Sequence, residues 1–74
     1  MTENHILRRK ALGKNIARYR KFRGYTQKEL ADVLGVSRSY IARVETASCT
    51  VSAEMLFTLS DALKVKVHKF FEGV

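Results

Sequence analysis

The 74-residue chain is predicted to fold as an all-α, compact five-helix domain, and three features of its sequence lead there. It holds no proline and only four glycines, which favours uninterrupted helices and disfavours turn-rich sandwiches and barrels. Its apolar residues recur every three to four positions, with no alternating run of the strand type. Glycines and hydroxyl side chains fall where those runs start and stop. No internal repeat, low-complexity segment or linker divides the chain, so one domain over residues 1–74 is expected.

The first helix should run from about Arg9 to Arg23, with Leu12, Ile16 and Tyr19 on one face and Gly24 as a left-handed terminator. A basic arm, residues 1–8, either extends that helix or frays from it. Thr26-Gln27-Lys28-Glu29 is a capping box, in which the Thr26 hydroxyl accepts from the Glu29 amide and the Glu29 carboxylate reaches back. It opens a second helix, about Gln27 to Leu34, that turns Leu30, Ala31 and Leu34 inward and stops at Gly35. Val36 plugs the turn, and Ser37 caps a third helix over about Arg38 to Thr46 with Ile41 and Val44 as its apolar stripe. A polar loop at 47–51 leads to Ser52, the cap of a fourth helix bearing Leu56, Leu59 and Leu63. A short last helix, about Val67 to Phe71, ends in an aromatic pair.

Composition bounds the function. The chain carries 14 Lys+Arg against 7 Asp+Glu, a formal charge of +7, with 46% apolar and 28% charged residues. All of the excess sits in the first third: residues 1–25 hold eight basic side chains against Glu3 alone, and residues 26–74 hold six of each sign. Such density addresses a polyanion. An anionic membrane would need a broad apolar face opposite the charges, and Leu12, Ile16, Tyr19 and Phe22 supply one core-facing stripe only. Nucleic acid is the better reading. Cys49 stands alone, so neither a disulfide nor a cysteine-based zinc cage is expected. His5 and His68 are too far apart in sequence to suggest a metal site. No segment resembles a signal-peptide core or a membrane span, so a reduced, soluble, cytoplasmic protein is expected. No phosphate loop, nucleophile–base pair or carboxylate pair suggests an enzyme, and no cofactor or small-molecule ligand is implied.

Two short helices joined by a glycine-containing turn form a helix-turn-helix, here about residues 27–46, which lays its second helix in a major groove. The geometry needs a small residue at Ala31 where the helices cross and a positive-φ residue at Gly35. It also needs apolar residues at Leu30, Leu34, Val36, Ile41 and Val44 to fix the interhelical angle. All seven positions comply.

The run TQKELADVLGVSRSYIARVE, with Ile16 and Arg20 ahead and Leu56, Leu59, Leu63 and Val65 behind, resembles the Cro/phage-repressor-like helix-turn-helix family, also called the xenobiotic-response-element type. The likeness covers about residues 12–71. It implies a five-helix, lambda-repressor-like domain that binds operator DNA, usually as a homodimer on (pseudo)palindromic sites in a prokaryote or phage. Many relatives carry glycine at 47, proline at 51 and glycine or asparagine at 64, where this chain has Ala47, Val51 and Lys64. Those departures bear on the 47–51 loop and the turn before the last helix, and leave the reading helix untouched.

By position, the resemblance implies base contacts from Arg38, Ser39 and Arg43, with Tyr40 beside them. A guanidinium fork matches the O6 and N7 atoms of guanine. It implies a backbone contact from Gln27, where the helix N-terminus favours phosphate. Ser37, Lys28, Lys14, Arg18 and Arg23 are further candidates for phosphate contact. It implies that Arg20 and Glu45 form a structural ion pair. One of Phe70 and Phe71 should finish the core, and the other, with Val67 and Phe57, should leave apolar surface for a two-fold dimer.

The reading that follows is a sequence-specific, double-stranded DNA-binding transcriptional regulator: a phage repressor, a restriction–modification controller or an antitoxin-like autoregulator. RNA polymerase would be a partner if it activates. The alternative is a protein-interaction module on the same scaffold, such as an antitoxin or coactivator, with DNA secondary. Such a module has no need of arginines at both base-facing positions.

Overall fold

The computed structural model describes residues 3–74 as four α-helices and a closing 3-10 helix, with no strand among the described residues. The elements are α1 (Glu3–Phe22), α2 (Gln27–Leu34), α3 (Arg38–Glu45), α4 (Ala53–Leu63) and the 3-10 helix Val67–Phe71. The expected fifth α-helix is thus a tighter turn. Five residues are too few for a stable run of i→i−4 bonds, and Lys69 N–H instead donates to Lys66 O at 2.9 Å. Of the two courses open to the arm, the described residues take the first: α1 begins at Glu3, so the arm extends the helix, and Met1 and Thr2 lie outside the described residues. Nothing between residues 3 and 9 breaks a helix, and long side chains lose little rotamer freedom there.

Each α-helix ends by the same device. An amide five residues on donates back to a carbonyl: Tyr25 to Arg20 O, Val36 to Ala31 O, Ser48 to Arg43 O and Val65 to Ser60 O, at 2.8–3.2 Å. This closure demands a left-handed residue just before the donor. Glycine supplies it at Gly24 and Gly35, whereas Ala47 (φ 61°) and Lys64 (φ 55°) adopt it with a Cβ in the way. The helix starts are capped as their sequences require. Thr26 Oγ1 accepts from Glu29 N at 3.0 Å while Glu29 Oε1 accepts from Thr26 N at 2.9 Å. These bonds from Thr26, the backbone one foremost, hold the Glu29 carboxyl below its usual 4.5. Ser37 and Ser52 cap α3 and α4 through the amides of Tyr40 and Met55.

The core is built from Ile16 of α1, Leu30 and Ala31 of α2, Ile41 and Val44 of α3, Leu56, Leu59 and Leu63 of α4, and Phe70. Phe70 is 0% exposed and meets the Tyr19 ring edge-on at 6.1 Å, whereas Phe71 keeps 43% of its surface in solvent. Phe70 therefore completes the core and is removed from the expected dimer surface; only Phe71 of the pair is available to it. The C-terminal segment is stitched to α1 by polar bonds. Asn15 Nδ2 donates to Phe70 O and Glu72 O, both at 2.8 Å, and Tyr19 Oη donates to Glu72 Oε1 at 2.5 Å. That bond from Tyr19 lowers the Glu72 carboxyl and raises the Tyr19 phenol.

Candidate nucleic-acid interface

The helix-turn-helix is fixed at the C-terminal end of α3. Arg20, 7% exposed, donates from Nε to Glu45 Oε2 at 2.6 Å and from Nη2 to Glu45 Oε1 at 3.1 Å, while its Nη1 donates to Tyr25 O at 2.7 Å. Gln27 Nε2 adds a bond to Glu45 Oε1 at 3.0 Å. One carboxylate therefore joins α1, the start of α2 and the end of α3. A buried ion pair is tolerable only when its remaining polar atoms are satisfied, and no buried side-chain N or O among the described residues is left without a partner.

Gly13, in mid-α1, brings the two helices together. A Cβ there would lie 2.5 Å from Glu45 O and 2.8 Å from Val44 O. Apolar spacing and capping patterns do not single out this residue; the signal that does is an isolated glycine inside a helical run, whose propensity cost asks for a packing reason.

With its tail held, α3 turns Arg38, Ser39 and Arg43 to solvent. Neither arginine forms an ion pair among the described residues, so both guanidinium forks are free to meet an acceptor pair. Tyr40 lies at the flank, half-buried against the core. Burial pushes its phenol up, the neighbouring Cys49 adding to the rise and Arg43 opposing it. Ser37 is exposed, with its oxygen committed to the α3 amide at Tyr40.

The expected phosphate contacts divide. Gln27 and Lys28 sit together at the start of α2, Lys28 in an exposed pair with Asp32 at 3.1 Å. Arg18 lies instead at the C-terminal stitch, paired with Glu72 at 3.2 Å. Arg23 donates from Nε to Leu63 O at 2.7 Å and from Nη2 to Lys64 O at 2.9 Å, so it clamps the end of α4 rather than standing free for a phosphate. Lys14 is exposed on α1. Of the expected dimer residues, Phe57 is 56% exposed and Val67 is half-buried against the core. No group of three or more His, Cys, Asp or Glu residues able to hold a metal occurs among the described residues, nor does any helix long and apolar enough to cross a membrane.

Known proteins resemble this chain in sequence and in fold. The chain is 36% identical over 62 residues to the HTH-type transcriptional regulator SinR of Bacillus subtilis (strain 168), covering 82% of this chain and 56% of that protein. It thus spans little more than half the length of that relative. Control protein C.SmaI of Serratia marcescens is 34% identical over 58 residues, 78% of this chain and 69% of its own. Among solved structures, the restriction-modification controller protein C.AhdI from Aeromonas hydrophila matches with a TM-score of 0.79 at 29% identity, over 84% of this chain and 94% of that one. The clp gene regulator ClgR from C. glutamicum matches with a TM-score of 0.79 at 34% identity, over 84% of this chain and 80% of that one. A family model described as HTH_3, helix-turn-helix, matches residues 16–70, most of the chain, which therefore belongs to this Cro/C1-type helix-turn-helix family.

Proposed function

We propose that this chain is a sequence-specific, double-stranded DNA-binding transcription regulator that reads the major groove with α3 and acts as a homodimer. The observation that carries this reading is the asymmetry of α3. Its C-terminal end is locked by the Arg20–Glu45–Gln27 cluster, and its solvent face offers two unpaired guanidinium groups at Arg38 and Arg43. Each arginine paired bidentately with a guanine discriminates against the wrong base by roughly 1–3 kcal/mol. Ser39 adds a hydrogen bond without strong base preference. Gln27, Lys28 and the Ser37 hydroxyl set the register by meeting phosphates, a role that carries no sequence information. Residues 1–74 work as one DNA-binding domain.

The dimer is supported by apolar surface that a small monomer gains nothing by exposing, at Phe57 and Phe71. Two copies related by a dyad read half-sites about 10 base pairs apart, or a multiple of that. The names of the relatives, transcriptional regulators and restriction–modification controllers, favour the same role.

Selection from a randomised duplex pool at near-physiological salt with competitor DNA tests the proposal. A two-fold symmetric motif with guanines in each half, lost in Arg38→Ala and Arg43→Ala, is the expected result. Retention without enrichment refutes sequence-specific reading and favours the protein-interaction alternative, with the Phe57 and Phe71 surface as the place to seek a partner.

A further inference from the structure

The basic first third of the chain separates into two groups once each side chain is followed to its contacts. Four of the five arginines serve the fold: Arg20 holds Glu45, Arg23 holds the end of α4, Arg18 pairs with Glu72, and Arg9 reaches Ala47 O at 3.5 Å, while Arg8 is exposed. The lysines do not. Lys10, Lys14 and Lys21 are exposed, and none takes part in an ion pair among the described residues.

At about 100° per residue, the three lysines fall within about 40° of one another around α1. They share one stripe, about 16 Å long at 1.5 Å per residue. That stripe lies roughly a third of a turn from the sector that faces α3 (Gly13, Ile16 and Arg20) and from the sector that holds the C-terminal segment (Asn15 and Tyr19). Lys10 and Lys14 are four apart, and like charges at that spacing repel and weaken a helix. On α2 the residue four places after Lys28 is Asp32, which pairs with it, but α1 has no acidic residue after Glu3 to play that part. The ammonium is a compact, mobile point charge suited to phosphate without base recognition.

We infer that Lys10, Lys14 and Lys21 form a phosphate track on the outer face of α1, which engages the backbone of double-stranded DNA beyond the bases read by α3. The track rests on the proposed DNA-binding function and extends it to a surface separate from the helix-turn-helix. It adds affinity and salt dependence and leaves base preference to Arg38 and Arg43.

The test compares the unaltered protein, the K10Q/K14Q/K21Q variant and the R38A/R43A variant on a duplex about three helical turns long, by fluorescence anisotropy over a range of salt. Each phosphate neutralised contributes about −0.9 to the logarithmic salt slope, so losing the track flattens the slope by up to about 2.7. Across a fourfold rise in salt the triple variant then loses about 40-fold less affinity than the unaltered protein. Its selected motif is the same, whereas R38A/R43A loses the motif and keeps the lysine share of the slope. Single Lys→Gln variants, each expected to remove about 0.9, serve if the triple variant melts early. An unchanged slope at an unchanged thermal midpoint overturns the track alone. A slope that flattens in a protein with no base preference upholds the track and removes the sequence-specific reading. Absence of any duplex binding overturns both.

Discussion

Replacing Gly13 by alanine should destabilise the protein, although the same change in an open helix would stabilise it. Glycine in a helix interior costs about 0.8–1.0 kcal/mol relative to alanine, so propensity alone predicts a gain of that size. Packing opposes it. The new Cβ would sit 2.5 Å from Glu45 O, against an ordinary contact of at least 3.4 Å, so α1 and α3 must separate by roughly 0.9 Å at their crossing. Both sides of that contact are backbone, and no flexible side chain can yield. Overpacking of this kind costs about 1–3 kcal/mol. The separation also strains the 2.6 Å bond from Arg20 to Glu45, whose own carbonyl is the atom struck. Clash and lost ion-pair geometry outweigh propensity by about 1–2 kcal/mol. At about 4–8 °C per kcal/mol for a domain of this size, the thermal midpoint should fall by about 4–16 °C. Circular dichroism melts at fixed protein concentration read this directly, with urea titration as the isothermal check. A midpoint that is unchanged or raised in Gly13→Ala would refute the close approach of α1 to α3 and the account of the anchor built on it.

Three other perturbations follow from the same geometry. Ala47→Gly and Lys64→Gly should each raise stability by about 0.5–1 kcal/mol, because the left-handed conformation costs a Cβ-bearing residue about 1–2 kcal/mol and the looser unfolded chain returns only part of it; unchanged urea midpoints in both would refute this. Arg20→Ala or Glu45→Ala leaves a buried charge without its partner, a loss of about 3–5 kcal/mol, so each should melt well below the unaltered protein before any change in base preference can be measured; equal midpoints would refute the anchor role. Because the folded Glu72 carboxyl titrates below its ordinary 4.5, the stability it adds is complete above that value and is lost as pH falls through the lowered one. Glu72→Gln should therefore flatten the acid-side fall of the melting midpoint, and an identical acid profile in the variant would contradict the stitch to Tyr19 and Arg18.

The parts of the fold that could be read in advance are those whose physics is local. Thr26, Ser37 and Ser52 cap helices with the next few residues of the chain, and Gly24 and Gly35 supply their left-handed turns without help from afar. The apolar spacing likewise identifies Leu30, Ile41, Val44, Leu59 and Leu63 as core, since one helix face must be buried. Reading stops where a residue's role depends on what arrives from elsewhere. Gly13 matters because of a carbonyl 32 positions later, and Arg23 because α4 ends beneath it. Phe70 and Phe71 are chemically identical neighbours, and only the direction of the 3-10 turn separates core from surface. Ala47 and Lys64 adopt glycine's conformation because the amides of Ser48 and Val65 have carbonyls waiting for them, a demand that the composition of the turn does not reveal. At the candidate interface, exposure of Arg38, Ser39 and Arg43 follows from the α3 stripe alone, whereas the bond from Gln27 to Glu45 needs three elements in place.

The mounting of α3 makes it a cantilever. Its root is gripped by Glu45, and by backbone contact with Gly13, while its tip at Arg38 and Ser39 depends on nothing beyond the Ser37 cap and the apolar side beneath. Tip and root therefore answer to different selective demands. Under the proposed reading role of α3, residues at the tip can be exchanged without disturbing the load-carrying end, so base preference changes by a few substitutions there while the anchor and its stability are retained. A library that varies positions 38 and 39 and keeps Gly13, Arg20, Gln27 and Glu45 intact would exploit the same separation in the laboratory.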